Sequence, residues 1–325
     1  MSRNDDWKTA LVGAMLACAA AHGYAQVGAV AGSLDRDAAT SLVTRSWAVR
    51  VPGVDKVVFR GGVNHDTAGM GAGTMMYPAP SPVGFLAALI THGVLNAGFR
   101  EKQKNQLQAN ADLILAPFEP VLAGFTNQRL LEAARQRLPA ERATRLLNPN
   151  EPAGGDWLVE IAPVFSMTQD RRALVLDNAV RIFAPGPSPV VYAQTVRVVS
   201  APLRPAQAVA AATEPAPVAD DEFVKTWSAD QGQKLIDESI SLLAQSLEIA
   251  LAESGGPATD DKTPHRTFRY PEGGSEKMER AQLVSESCGR RLIRTLRGWL
   301  MSVPSDDTIG DRCALPSAAA ASAAQ

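Results

Sequence analysis

The sequence predicts an α+β fold, in which an antiparallel meander sheet carries helices on one face and is followed by a helical C-terminal part. Three extended runs, Trp157–Ser166, Ala173–Phe183 and Val190–Val199, follow one another with short loops between them. Short loops between consecutive strands favour antiparallel pairing. In the second run apolar side chains alternate with Asp177 and Arg181, which is typical of a strand with one buried face.

Shorter elements precede this sheet. Residues 46–51 and 55–60 are strand-like, and Pro52-Gly53 between them predicts a hairpin turn. The apolar run Ala111–Pro117 predicts a short buried strand. Residues Asn127–Arg137 repeat leucine and alanine at helical spacing and predict an amphipathic helix.

The C-terminal part is predicted to be helical. Ser228-Ala229-Asp230-Gln231 matches a capping box, and apolar residues then follow at three-to-four spacing up to Gly255-Gly256. In Glu276–Met301 the apolar residues fall on one arc at 100° per residue, which favours a second helix. Since glycine weakens a helix, a hairpin that turns at Cys288-Gly289 is the alternative.

These patterns divide the chain into five regions. We expect a signal peptide over residues 1–25, an α/β domain over 26–200, a Pro/Ala linker over 201–221, a helical region over 222–313 and a disordered tail over 314–325.

The N-terminus predicts export. Thr9–Ala21 is an uncharged run of 13 residues, too short for a stable membrane anchor, and small residues Gly23 and Ala25 suit cleavage before Gln26. A buried N-terminal helix is an alternative interpretation, and lipidation at Cys18 is another. We therefore expect a protein that is free in the periplasm or associated with the outer membrane.

The cysteines agree with export. Removal of residues 1–25 leaves Cys288 and Cys313 as an even pair, which can form a disulfide in an oxidising compartment. Such a bond would stabilise the fold by about 3 kcal/mol on the chain-entropy estimate. The alternative is that Cys288 is a small buried apolar residue.

Composition and the motifs that we searched for reduce the number of functional classes to consider. The net charge of −2 and the aromatic content of 6% do not favour nucleic-acid binding. We find no spacing typical of a nucleophile elbow, a zinc pair or a phosphate loop, and we expect no metal or other cofactor. His65 beside Asp66 is a weak candidate for catalysis, and Gly69–Gly73 is a poor match to a nucleotide-binding run because prolines precede the next helix.

An uncharged window of 33 residues, Thr67–Phe99, is the strongest candidate for an interaction surface. It predicts a glycine-rich loop and a helix from about Val83, either packed in the core or inserted into a membrane or another subunit. The interaction candidates are the large apolar residues of that helix: Val83, Phe85, Leu86, Leu89, Ile90, Leu95 and Phe99.

A basic cluster near the C-terminus is a candidate for anion binding. Arg290, Arg294 and Arg297 share one face of the predicted last helix and could hold carboxylates or phosphates. The alternative is a solvated face whose arginines pair with Glu279 and Glu286.

The sequence therefore favours an exported, non-enzymatic envelope protein with an interaction or structural role. Its expected partner is another protein or a membrane or envelope surface, and a homo-oligomer is the further form of association that we consider. A periplasmic enzyme of unrecognised type and a small-ligand carrier are the alternatives.

Overall fold

A computed structural model describes residues 45–53, 55–63, 105–142, 144–204, 220–255 and 263–305. All of them belong to one compact unit. The strands are β1 Trp47–Arg50, β2 Val58–Gly61, β3 Thr144–Leu146, β4 Trp157–Met167, β5 Leu174–Phe183, β6 Val190–Val199, β7 Arg266–Glu272, β8 Ser275–Ser287, β9 Arg290–Thr295 and β10 Leu300–Pro304. Residues 105–112 are helical, and the further helices are α1 Glu119–Ala123, α2 Asn127–Gln136 and α3 Asp220–Glu253.

The described strands form one mixed, mostly antiparallel sheet of ten strands in the order β3-β1-β4-β5-β6-β10-β9-β8-β7, and β2 also pairs with β4. The pairs β4–β5, β5–β6, β7–β8, β8–β9 and β9–β10 are antiparallel. The pairs of β1 with β3 and β4, of β2 with β4 and of β10 with β6 are parallel. The part of the α+β prediction that combines helices with a mostly antiparallel sheet is confirmed.

The predicted meander corresponds to β4, β5 and β6. These three strands are consecutive antiparallel neighbours. Leu174, Leu176 and Ile182 of β5 are fully buried on one face, whereas Arg181 is exposed on the other. The meander ends at β6, because the next neighbour in the sheet is β10, the last of the described strands.

Helices α2 and α3 cover one face of this sheet. Leu130 and Leu131 of α2 and Leu243 and Leu247 of α3 join the same buried apolar cluster as the core residues of β4–β6. Helix α3 is interrupted from Ala229 to Gly232, where the backbone is not helical. The capping-box motif therefore marks a break inside a helical segment that already begins at Asp220.

The predicted hairpin between residues 46 and 60 is wrong. Strands β1 and β2 both run parallel to β4, and they pair with successive stretches of it, Trp157–Glu160 and Val164–Met167. A chain reversal at Pro52-Gly53 would place one of these two strands antiparallel to β4. Pro52 and Gly53 instead lie between two strands that run in the same direction along β4.

The predicted strand Ala111–Pro117 is also wrong. Residues up to 112 are helical, and a 3-10 helix follows from Leu113 to Phe118. Ile114, Leu115 and Phe118 are buried while Leu113 is exposed. A short apolar run does not distinguish a buried strand from a buried helical turn, and here the spacing of the buried side chains is helical.

The predicted helix Glu276–Met301 is wrong, and its alternative is confirmed. These residues form β8, β9 and the start of β10, and the hairpin turns at Cys288-Gly289. The helical C-terminal region is thus reduced to α3. The signal segment and the tail, together with most of the linker, lie outside the described residues.

Candidate interaction site

Three distant segments of the chain are bound together at one corner of the sheet. The Gly61 amide donates to the Asp112 carboxylate at 2.8 Å, and the Gln108 side-chain amide donates to the Gly61 carbonyl at 3.0 Å. The Gln169 side-chain amide donates to the Gly62 carbonyl at 2.7 Å. We call these five residues the neck.

The neck leaves no room for a larger residue at its centre. A Cβ atom added to Gly61 would lie 1.9 Å from the Ala111 carbonyl oxygen, which belongs to the backbone. Glycine is therefore required because two backbones approach one another closely. The Gln108 side chain also donates to Asp112 at 2.7 Å, so that the two polar side chains hold each other in position.

The neck joins the described residues on the two sides of the uncharged window. Residues 64–104 lie in sequence between β2 and helical residues 105–112, and the neck contacts bind Gly61 of β2 to Gln108 and Asp112. The seven interaction candidates from Val83 to Phe99, as well as His65, Asp66, His92 and Gly69–Gly73, lie in this segment and outside the described residues.

The sheet face opposite the helices carries a network of ion pairs. Glu160 accepts from Arg50 at 2.7 Å and from Arg181 at 2.9 Å. On the same face the Asp177 carboxylate accepts two bonds from Arg197, at 2.6 and 2.7 Å, and the Arg197 guanidinium lies 5.5 Å from the Trp299 ring centre. The hydrogen bonds that Arg197 donates to Asp177 raise the pKa of Arg197, so its charge is retained.

Small residues separate the two charged groups. Ala162 and Ala179 are paired partners on neighbouring strands, and both are exposed. A groove of about 520 Å³ lies beside Ala162. It opens along the short stretch of β4 that lies between the residues paired with β1 and those paired with β2. Another groove, of about 640 Å³, runs past Leu158 and Phe183 to Arg50.

The predicted anion-binding arginines do not form one helical face. Arg290 and Arg294 lie in β9 and Arg297 follows it in an exposed turn. The Arg290 guanidinium donates to the Ser302 hydroxyl at 2.9 Å and to the Val199 carbonyl at 2.7 Å. The Arg294 guanidinium donates to Glu253 at 2.6 Å. The guanidinium groups of Arg290 and Arg294 therefore bind other residues of the same chain.

These contacts connect α3 to the C-terminal strands. Gln245 of α3 accepts from Ser302, and Glu253 accepts from Arg294. Burial lowers the pKa of Arg290 to about 10. Burial also raises the pKa of nearby Glu238, whose charge the Arg290 cation stabilises only in part.

Cys288 is disulfide-bonded. Its partner is not among the described residues, since Cys18 and Cys313 both lie outside them. The pairing with Cys313 stays a prediction at this point.

Within the described ranges, no group of three or more His, Cys, Asp or Glu side chains is placed to hold a metal ion. No helix in that part of the chain is long and apolar enough to cross a membrane.

Comparison with known proteins does not assign this chain to a family. No family model, no curated protein and no solved structure matches it. Its function must therefore be argued from its own residues.

Sequence reasoning missed the neck. Gln108, Asp112 and Gln169 carry no motif, and Gly61 directly follows the strand-like residues 55–60. The available signal was the position of Gly61-Gly62, which four residues separate from the uncharged window that starts at Thr67. A glycine pair there is compatible with a close approach of backbones, but the sequence does not identify the opposing residue.

Proposed function

We propose that this chain is an exported, non-enzymatic envelope protein that binds a protein partner or an envelope surface through residues 83–99. The observation that supports the proposal is the neck, which joins residues that precede the 64–104 segment, Gly61 and Gly62, to residues that follow it. The described residues on either side of these 41 residues are therefore fixed to each other at one corner of the sheet.

The composition of residues 67–99 supports an apolar contact with the partner. Residues 67–99 contain no Asp, Glu, Lys or Arg, while the chain as a whole is 20% charged. Large uncharged surfaces of soluble proteins are typical of interaction sites. On this proposal the described sheet is the scaffold, and Phe85, Leu86 and Ile90 are among the contact residues.

Site-specific photo-crosslinking tests the proposal in the full chain. A photoreactive residue at Phe85 should give one discrete crosslinked product in envelope preparations, and the same residue at Met278, which is 64% exposed on β8, should not. Flotation with vesicles of phosphatidylethanolamine and phosphatidylglycerol separates the two kinds of partner. Crosslinking to a protein without flotation indicates a protein partner, and flotation that Leu86→Asp abolishes indicates a membrane surface.

A pair of glutamine variants tests the role of the neck. Gln108→Ala should reduce the crosslinking yield at Phe85 several-fold, because the Gly61 carbonyl loses its donor and the two ends are held less firmly. Gln136→Ala is the matched control, because the Gln136 side-chain amide donates to Glu132 on the exposed side of α2 and takes no part in the neck contacts described above. Absence of both crosslinking and flotation in the unaltered chain would refute the proposed function.

A further inference from the structure

The turn that carries Cys288 has an unusual backbone. Strand β8 ends at Ser287 and β9 begins at Arg290, so Cys288 and Gly289 form a two-residue hairpin turn. Their φ angles are +53° and +67°, as in a type I′ turn. Asn, Asp and Gly are the residues that favour such positions, and Cys does not. Cys288 is exposed there and is disulfide-bonded.

The end of the described chain returns to this same turn. Strand β10 pairs antiparallel with β9, which places Pro304 opposite Arg290. The Ser305 amide then donates to the Gly289 carbonyl at 2.8 Å. The chain therefore passes next to Cys288 at residue 305. Cys313 follows eight residues later, and eight residues reach at most about 27 Å.

The other cysteine of the chain is placed less favourably. Cys18 precedes Arg45 by 27 residues, and the following strand β1 is six strand positions from β8 in the sheet. Six positions correspond to about 29 Å. Since the entropic cost of closing a loop rises with its length, the short route from Ser305 is favoured. Cys18 also lies in the segment predicted to be removed on export.

We infer that Cys313 is the partner of Cys288 and that the bond acts as a redox-sensitive clasp on β10. The ring closed by this bond contains all of β9 and β10. Among the described strands, β10 alone joins β6 to β9, and it thereby connects the meander to the C-terminal hairpins. The clasp holds β10, a strand of five residues that lies between β6 and β9 in the sheet.

The chemistry is reversible thiol–disulfide exchange. The thiolate of an external dithiol attacks one sulfur of the bond and forms a mixed disulfide, and its second thiolate then displaces the protein sulfur. The dithiol loses two electrons and two protons and becomes a disulfide, while Cys288 and Cys313 become thiols. After reduction β10 is held only by its hydrogen bonds and side-chain contacts.

Peptide mapping without reduction tests the pairing in the purified, oxidised full chain. We expect one peptide pair that joins Cys288 to Cys313. Two free thiols, a bond to Cys18 or a bond between two copies would overturn the inference. The inference is independent of the proposed binding function, because mapping requires neither a partner nor residues 83–99.

Hydrogen exchange tests the clasp. The ring closes 26 residues, for which the chain-entropy estimate predicts an effect on the order of 100-fold on the opening equilibrium. We expect the amides of β10 to exchange faster by about that factor in Cys313→Ser and in dithiol-reduced protein. Amides of β4 and β5 are the internal reference and should change much less. An equal change in all strands, or no change in β10, would overturn the clasp.

Discussion

At the scale of single residues, Gly61 and Gly155 have opposite tolerance to a methyl group. A Cβ at Gly61 meets the Ala111 carbonyl at 1.9 Å, whereas a Cβ at Gly155 meets no atom within 4 Å. We expect Gly61→Ala to lower the free energy of unfolding by about 3 kcal/mol or more, because two backbones must separate. Gly155→Ala should change it by less than about 0.5 kcal/mol. Urea unfolding measures both, and equal values would contradict the close packing of the neck.

The raised pKa of Glu272 leads us to expect that the free energy of unfolding depends on pH. Burial raises its pKa above the ordinary value of 4.5, and the nearby Arg197 and Lys277 offset this only in part. The folded state therefore binds this proton more tightly than the unfolded chain does. Ionisation of Glu272 disfavours folding above the raised pKa, and the cost is relieved as the pH falls from there toward 4.5.

The substitution Glu272→Gln should remove this contribution. We expect the variant to have a larger free energy of unfolding than the unaltered protein at pH 8, with a difference that shrinks toward pH 5. Denaturant titrations at several pH values measure it. Glu141→Gln, at an exposed position, is the control for the effect of the amide substitution itself. A Glu272→Gln difference that grows on acidification would show that the sign is wrong.

At the scale of elements, one buried polar contact positions α3 on β5. Asn178 and Ser246 are both fully buried, and the Asn178 side-chain amide donates to the Ser246 hydroxyl at 2.9 Å. Ser246→Ala leaves a buried donor without its acceptor, and we expect it to destabilise the fold by about 1–3 kcal/mol.

A double-mutant cycle tests this contact. Asn178→Val combined with Ser246→Ala removes both polar groups, so we expect a total cost at least about 1 kcal/mol below the sum of the single costs. Urea unfolding of the four proteins gives the interaction energy. Costs that add within about 0.3 kcal/mol would show that the two groups are not coupled.

The C-terminal hairpin shows why periodicity can mislead at this scale. Its apolar residues fit a helical arc, yet they lie in strands. The register shifts between Leu283 and Ser285, so that alternation is interrupted in the middle of β8. Leu283 packs against one apolar cluster and Val284 against another, on opposite faces of the sheet. A bulge of this kind imitates helical spacing locally.

At the scale of the whole molecule, export predicts a defined N-terminus. Cells that express the full chain should yield a mature protein that begins at Gln26, or a lipid-modified Cys18 in the alternative case. Mass spectrometry of the isolated protein distinguishes the two. An intact Met1 on envelope-extracted protein would contradict both. Conversion of the small residues at the cleavage site, Gly23→Leu with Ala25→Leu, should prevent processing before Gln26.

Elements with local signals were predictable from the order of residues alone. Alternation identified β4–β6, and helical spacing identified α2 and the second half of α3. These patterns suffice because each one reflects a single buried face. The candidate site was predictable only as an uncharged composition, since its anchoring residues are far apart in sequence.

The pairing of strands that are distant in sequence became visible only in the folded structure. Strands β1 and β2 run parallel to β4, β10 inserts between β6 and β9, and Gly61 meets Ala111. Hydrogen bonds between strands are made by the backbone, which is chemically alike at every residue. The sequence of one strand therefore does not determine which strand will pair with it. The pairing depends on how the whole sheet packs against α2 and α3.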